Sequence, residues 1–409
     1  MFLENRHIML FDLYSNGHHA IYVRQLCEYW IAYPNAGKLS VVLSEAYAKH
    51  HKELLKFIQL NQSKRISLQL VSKFIPHESK GGFRHLLMND RLHGKVARLF
   101  IEKLRPTHVV FLYLDHLQIS LITSLRFRYD VVVGGIIFKP TLHYPFVGYP
   151  ADSFKEQITY ARKKIILRFA LQNRHMRFLF SLDPYAVPYL RKLSDKISCI
   201  ALPDGYTQTP VIKIPCAIKR QLGIEPNRRI ALFFGVVSKR KGILKVFESL
   251  GKLFQSNQKK ICLLIVGHAE KNQSGWIKKK ICELQRTNDV QIVWHNSFIP
   301  DEIIQDYFRC SDLVLVTYQK HVGSSHVLIR AASEGVPVIG SNYGLVGKYI
   351  VSHRLGSAID TTKADAIAGA LDDWIEKGTL ESFNGESAQA FARKNKAVEF
   401  ASAIFSALI

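Results

Sequence analysis

Two stretches in the C-terminal half hold residues suited to gripping a diphosphate-like anion. In "FFGVVSKRKGILKVFESL" (Phe233–Leu250) an apolar run ends at Gly235, a basic loop follows, and Gly242 opens a helix-like run. Arg240 and Lys241 therefore stand where a strand end meets a helix start, with the Ser238 hydroxyl in the same loop. Charge-assisted hydrogen bonds to phosphate oxygens are the natural use of such cations. A Lys/Arg triplet is more often a solvated loop, but the flanking glycines favour a ligand here. In "TYQKHVGSSHVLIRAASEGVPVIGS" (Thr317–Ser341), Gly323, Ser324 and Ser325 precede a helix-like run. Their amides and the helix dipole can hold negative charge without any carboxylate, and either serine can also serve as a plain N-cap. The same run carries Arg330, which fits a phosphate, ribose or base-edge contact and equally a structural ion pair. Glu334 follows one turn later on the same face, where an exposed helix-end carboxylate is the commoner use.

The N-terminal half offers polar groups at the ends of apolar runs. "SNGHHAIY" turns at Gly17 and supplies His18 and His19 as neutral-to-cationic donors. "VVFLYLDH" ends at Asp115 and His116, and "VVVGGIIFKPTLHY" leads to Lys139, with His143 close in sequence. Lys139 could bind a phosphate or an acceptor. For each of these positions the bland alternative is an interdomain ion pair or a surface loop.

The elements that must position these residues are legible as rhythm. Strand-like runs "HIMLFDL", "LSVVLS", "ISLQLVS", "THVVFLYL", "DVVVGGIIF", "MRFLFSL" and "ISCIAL" alternate with helical stretches such as Ala20–Tyr33 and Leu86–Leu104. Most of these runs are continuously apolar, as parallel strands covered on both faces must be. A second series follows: "RIALFFGVV", "KICLLIVGH", "DVQIVWHN", "SDLVLVTY" and "VPVIGS". At 409 residues two domains are expected. We place them at 1–204 and 205–385, joined through "LPDGYTQTPVIKIPC", with 386–409 as one closing amphipathic helix returning to the first. Both read as α/β, doubly wound and Rossmann-like, and ligands belong at strand carboxyl ends, in a cleft where the two face each other.

Composition narrows the partners. Fifty-six Lys and Arg against 33 Asp and Glu give a net charge of +23 and point to an anionic partner. No basic–aromatic interleaving or zinc-finger signature supports nucleic acid. The six scattered cysteines form no C-x-x-C pair, as expected of a reducing cytosol. No leader and no run of ~20 apolar residues is evident, which suggests a cytoplasmic protein, free or at the inner membrane face. "KEQITYARKKIILRFALQNRHMR" (Lys155–Arg177) carries seven Lys or Arg and one Glu, with Ile158, Ala161, Ile165 and Phe169 on one stripe. Such a helix can lie on anionic lipid, although packing that stripe on the sheet is the commoner use.

The ordered set Gly235–Gly242, "LLIVGHAE", "FIPDEIIQDYFRCSDLVLVTY" and "RAASEGVPVIGS" resembles the retaining glycosyltransferases of family four, which have the GT-B fold. The N-terminal half resembles them more thinly, through "LYSNGHHAIYVRQL", "THVVFLYLDH" and "LPDGY". The resemblance implies metal-independent transfer of a sugar from a nucleotide diphosphate to a glycan, lipid or small-molecule acceptor, with the donor as co-substrate and no cofactor. No Asp-x-Asp is present. The family lysine falls on Lys241, and its glycine-rich turn on Gly17, where donor phosphates or acceptor approach the backbone. The family arginine falls on Val236, so Arg240 stands in from the same loop. The family's paired glutamates fall on Val322 and Arg330, which leaves Glu334 as the remaining ribose candidate. His268 and Phe298 are placed on the base side of the donor; His18 and Asp115 join the catalytic set, and His19, His116, Lys139 and His143 the acceptor side. The missing glutamates keep two other readings open: a catalytically silent GT-B protein binding a nucleotide sugar or partner enzyme, and a sugar-nucleotide epimerase.

Overall fold

The structure, a computed structural model, describes residues 6–33, 37–62, 65–72, 83–207, 215–270 and 272–408. The centre of the expected linker, 208–214, lies outside the described residues.

The chain divides into two units. The first holds seven strands: β1 (His7–Asp12), β2 (Lys38–Ser44), β3 (Ile66–Val71), β4 (His108–Phe111), β5 (Val132–Ile137), β6 (Met176–Ser181) and β7 (Ser198–Ala201). They form one parallel sheet in the order β3-β2-β1-β4-β5-β6-β7. The second holds β8 (Arg229–Phe234), β9 (Ile261–Val266), β10 (Gln291–His295), β11 (Leu313–Val316), β12 (Val338–Ser341) and β13 (Gly356–Ile359). Its order is β10-β9-β8-β11-β12-β13. The continuous apolar runs are the central strands: every residue of β9 is buried, and in β1 and β8 the inner residues are. Helices cover both faces, giving each sheet two apolar layers.

In each sheet the direction of winding reverses once, between β1 and β4 and between β8 and β11. Adjacent helices leave opposite faces there, so the strand ends part and a crevice opens at their carboxyl edge. The two halves of the fold thus predict, each for itself, where polar residues should gather.

Three expectations need correction. "THVVFLYL" contributes only His108–Phe111 as strand, because from Leu114 the chain tightens into a 3-10 turn. The edge strand Gly356–Ile359 was not expected: its four residues include a glycine and a serine, too short a pattern to read. The closing segment is two helices, Gly385–Lys394 and Ala397–Ala407, not one. Asn395 ends the first: its amide donates to the last-turn carbonyls and its side chain to the Phe391 carbonyl at 2.9 Å. The first of these helices groups with the second unit, while the last returns to the first unit, where Phe400 stacks on Tyr22 and Phe405 on Tyr29. The short segment Tyr144–Pro150 also groups with the second unit, ahead of the boundary at Gly205/Tyr206. Among the described residues no helix is long and apolar enough to cross a membrane.

Candidate functional site

In the second unit the β8/β11 switch point is built from two loops. After β8, Gly235 takes φ +102°, and a Cβ there would collide with the Lys241 amine. Ser238 caps the short turn Lys239–Lys241 by accepting from the Lys241 amide. Gly242 then adopts φ +87° to start the helix Ile243–Leu250. Lys241 is half-buried; its Nζ donates to the Phe234 carbonyl at 2.9 Å and lies 5.3 Å from the Tyr318 ring centroid. Among the described residues no carboxylate holds this ammonium, so its charge is available to a ligand. The Arg240 side chain is exposed, and its carbonyl accepts from the Gln319 amide at 2.7 Å, which ties the basic loop to the chain leaving β11.

That chain leads to Gly323–Ser325 at the start of the helix His326–Ser333. Ser325 is the N-cap: its Oγ accepts from the Leu328 amide and pairs with the Tyr318 hydroxyl at 2.9 Å. Ser324 offers its carbonyl to His321 Nε2 at 3.0 Å. Burial pushes the His321 imidazole below its usual 6.5, and the Arg240 and Lys241 charges push the same way, against the hydrogen bond to Ser324. A neutral histidine that feels both cations places Arg240, Lys241 and the Gly323–Ser325 turn in one electrostatic neighbourhood. His321 was not singled out in the sequence, although it stands within the serine loop.

Arg330 and Glu334 turn elsewhere. The Arg330 guanidinium is buried against the Tyr206 ring at 5.3 Å; it donates to Gln305 at 3.3 Å and lies 3.7 Å from Asp301. Of its two open uses, this geometry is the structural one. Glu334 is not the exposed carboxylate expected: its side chain is 5% exposed, and it accepts from Arg309 Nε and Gln305 Nε2, both at 2.7 Å. Val322 is buried. His268 is exposed and contributes its carbonyl to the Val237 amide at 2.8 Å; Phe298 is a surface side chain.

In the first unit the β1/β4 edge carries a cluster of aromatic and imidazole rings. Gly17 is exposed at φ +70° with open space around it, and His18 is exposed at the head of the helix His19–Ala32. His19 Nδ1 meets Asp12 Oδ2 at 2.7 Å, its ring stacked on Phe138 at 5.4 Å and set against Tyr113 at 5.1 Å. Tyr14 stacks on His93 at 5.3 Å and lies 5.0 Å from His116. Burial pushes the His116 ring down to about 4, helped by His93, Lys139 and His19, so it is neutral at physiological pH. Asp115, expected among the catalytic groups, accepts from the Phe138 amide at 2.8 Å and the Lys139 amide at 3.2 Å. It anchors the loop after β5 and thereby positions the exposed Lys139. His143 is fully buried and bonded to Asp183 at 2.6 Å, which makes it a packing residue and not an acceptor contact.

Asp12 was missed. Its only sequence signal is an acid at the end of an apolar strand, seven residues before the histidine it binds. Burial disfavours charge on His19, yet Asp12 and, more weakly, Asp115 outweigh it and raise the pKa. The ion pair therefore stabilises the fold below the unfolded value near 6.5 and is lost as pH rises through the raised folded value. We expect the His19 ring to titrate above 6.5 in the native protein and clearly lower in Asp12→Asn, where only the weaker attraction of Asp115 opposes burial. NMR titration of the ring protons checks this; an unchanged value would separate His19 from Asp12.

With that geometry in place, comparison with known proteins assigns the second half. Residues 217–397 match the family model for glycosyl transferases group 1. That span contains the whole second sheet, the Lys241 loop and the Gly323–Ser325 turn. That part of the chain is similar to the group 1 glycosyltransferases. No curated protein matches the sequence. Solved structures resemble the glycosyltransferase over nearly its full length. Anabaena HepE, crystallised with UDP, is 16% identical with a TM-score of 0.65, covering 98% of this chain and 99% of its own. Sucrose-phosphate synthase of Thermosynechococcus elongatus is 18% identical with a TM-score of 0.70, covering 99% and 98%. A glycosyltransferase from Rickettsia africae is 16% identical with a TM-score of 0.64, covering 99% and 98%. At such identities the likeness is one of fold, and the fold is GT-B. The enzyme is a GT-B glycosyltransferase.

Proposed function

We propose that the protein is a metal-independent, retaining glycosyltransferase of the family-four type, moving a sugar from a nucleotide diphosphate to an acceptor hydroxyl. The observation that carries this reading is the Lys241 ammonium at the β8/β11 switch point, bonded among the described residues to a single carbonyl and shared with no acid. A diphosphate oxygen is a stronger acceptor than a peptide carbonyl, so the amine can exchange one for the other with little rearrangement. Arg240 and the amides of Gly323–Ser325 add positive potential from the same edge.

In the reaction the bond between the sugar's anomeric carbon and the diphosphate oxygen breaks, and negative charge grows on the departing diphosphate. Lys241, Arg240 and the helix start stabilise that charge, supplying what a divalent cation supplies in other transferases. The acceptor oxygen attacks on the face the diphosphate leaves, and its proton passes to a diphosphate oxygen. No side-chain base is required, so the carboxylates missing at Val322 and Arg330 do not stop the chemistry. A uridine nucleotide is the first donor to try, since HepE was crystallised with UDP.

The test is a panel of UDP-, GDP- and ADP-sugars, with chelator present, followed by NMR of nucleotide and sugar. We expect release of nucleoside diphosphate from one donor, with the anomeric configuration kept when acceptor is supplied. Binding without release would establish the silent reading, and interconversion of the donor sugar the epimerase.

A peripheral membrane site is part of the proposal. In the helix Phe154–Ala170 only Leu167 and Ala170 are buried. The stripe Ile158, Ala161, Ile165 and Phe169 does not pack on the sheet, contrary to the commoner expectation: it is exposed, Ile165 at 56% and Phe169 at 52%. Apolar side chains left in water beside Lys155, Lys164 and Arg168 suit an anionic lipid surface, each basic residue adding ~1 kcal/mol. The protein should sediment with phosphatidylglycerol vesicles at low salt and remain in solution with phosphatidylcholine; equal behaviour with both would remove the membrane from the account.

A further inference from the structure

The first unit forms a partly open cavity of about 180 Å3 between the helices Phe83–Leu104 and Phe154–Ala170 and the loops that follow β4 and β5. It has room for a phosphate-sized head and a short stem.

Its charges are unbalanced. Four cations line it: Lys139, Arg162, Lys163 and Lys164. The acids that line it, Asp90 and Asp115, have every oxygen on a backbone amide. Asp90 takes the Ile119 and Ser120 amides at 2.8 and 2.6 Å, and Asp115 those of Phe138 and Lys139. None of the four cations forms an ion pair among the described residues. Arg162 is fixed by its stacking over the Phe83 ring at 4.6 Å. Lys163 is half-buried; burial lowers its pKa, and Lys139 and Arg162 lower it further against the attraction of Asp115. Crowding like charges in a partly desolvated space is costly unless an anion joins them. An apolar part of the wall is formed by Leu86, Ile119, Ile166 and Leu167. Tyr113 and His116 line the cavity and also belong to the ring cluster at the β1/β4 edge, which makes cavity and edge continuous.

We infer that this cavity binds the phosphate group of an acceptor, with Lys139, Arg162 and Lys163 on its oxygens and an alkyl stem along the apolar wall. The inference names the acceptor class and rests on the transferase reading above. An acceptor so held is an amphiphilic phosphate ester, distinct from a neutral glycan.

Calorimetry with octyl phosphate, octanol and inorganic phosphate tests it on the full chain, with UDP titrated separately. Octyl phosphate should bind, octanol should not, and inorganic phosphate should bind more weakly. Lys163→Met should weaken octyl phosphate about tenfold or more, the worth of one charge-assisted bond, while Lys163→Arg restores it and the UDP affinity of both stays unchanged. If octanol binds as well as octyl phosphate, or Lys163→Met binds as the wild type does, the anion site is overturned. Inorganic phosphate binding as tightly as octyl phosphate would overturn the alkyl stem and identify a free phosphate ester. Binding of UDP without octyl phosphate sinks this inference alone; the reverse sinks the donor assignment and leaves the cavity standing.

Discussion

Lys241→Ala is expected to reduce turnover by about 10²–10³-fold, the loss seen when a single preorganised charge-stabilising donor is removed. The residue stands at the carboxyl edge where β8 and β11 part, and its amine is held by one carbonyl, that of Phe234, over the Tyr318 ring. Because the interaction strengthens as charge develops on the leaving diphosphate, kcat should fall far more than KM rises. The structural cost is small: one hydrogen bond and some packing, about 1 kcal/mol, or a melting point lower by a few degrees. Lys241→Arg should not rescue. The amine occupies the space that a Cβ on Gly235 would take, and a planar guanidinium is larger than the ammonium that fits there. Steady-state kinetics beside a thermal melt decide the matter. Wild-type turnover in a folded Lys241→Ala protein would take the charge-stabilising role away from this residue and with it the proposed mechanism.

How much of this was legible in the sequence follows from what each feature depends on. A strand such as Ile261–Val266 was legible because burial on both faces demands an uninterrupted apolar run. The Lys241 loop was legible because its glycines, its serine cap and its cations are all local. What stayed hidden depends on partners far apart in the chain. Glu334 reads as a solvated helix end until Arg309 and Gln305, 25 and 29 residues away, are brought beside it. Asp12 gains its meaning from His19 and from the ring cluster, whose members come from four separate segments. The cationic cavity is the clearest case. Arg162, Lys163 and Lys164 were visible as a run, but that they join Lys139 around one cavity, where four cations outnumber Asp90 and Asp115, is a tertiary fact with no local pattern.

Gly242→Ala should unsettle the same site through the backbone. Gly242 has φ +87°, and a Cβ there would run into the carbonyl oxygen of Thr317 and lie 2.9 Å from its Oγ1. Thr317 is fully buried and its hydroxyl donates to the Lys241 carbonyl at 3.2 Å, so neither the turn nor the end of β11 can give way separately. The left-handed conformation costs an alanine about 1 kcal/mol, and displacing packed backbone adds about 1–3 kcal/mol. A loss of roughly 3 kcal/mol in a unit of this size lowers the melting point by about 6–12 °C. Gly378→Ala is the control: it shares a positive φ, +75°, but has nothing within 4 Å, so only the conformational cost applies. If the two variants melt together, the contact with Thr317 is not what requires glycine at position 242. If Gly242→Ala is the less stable one, its transfer activity measured well below its melting point becomes informative. Turnover should then fall with the Lys241 geometry, because the residue that opens the helix also fixes where the preceding ammonium stands.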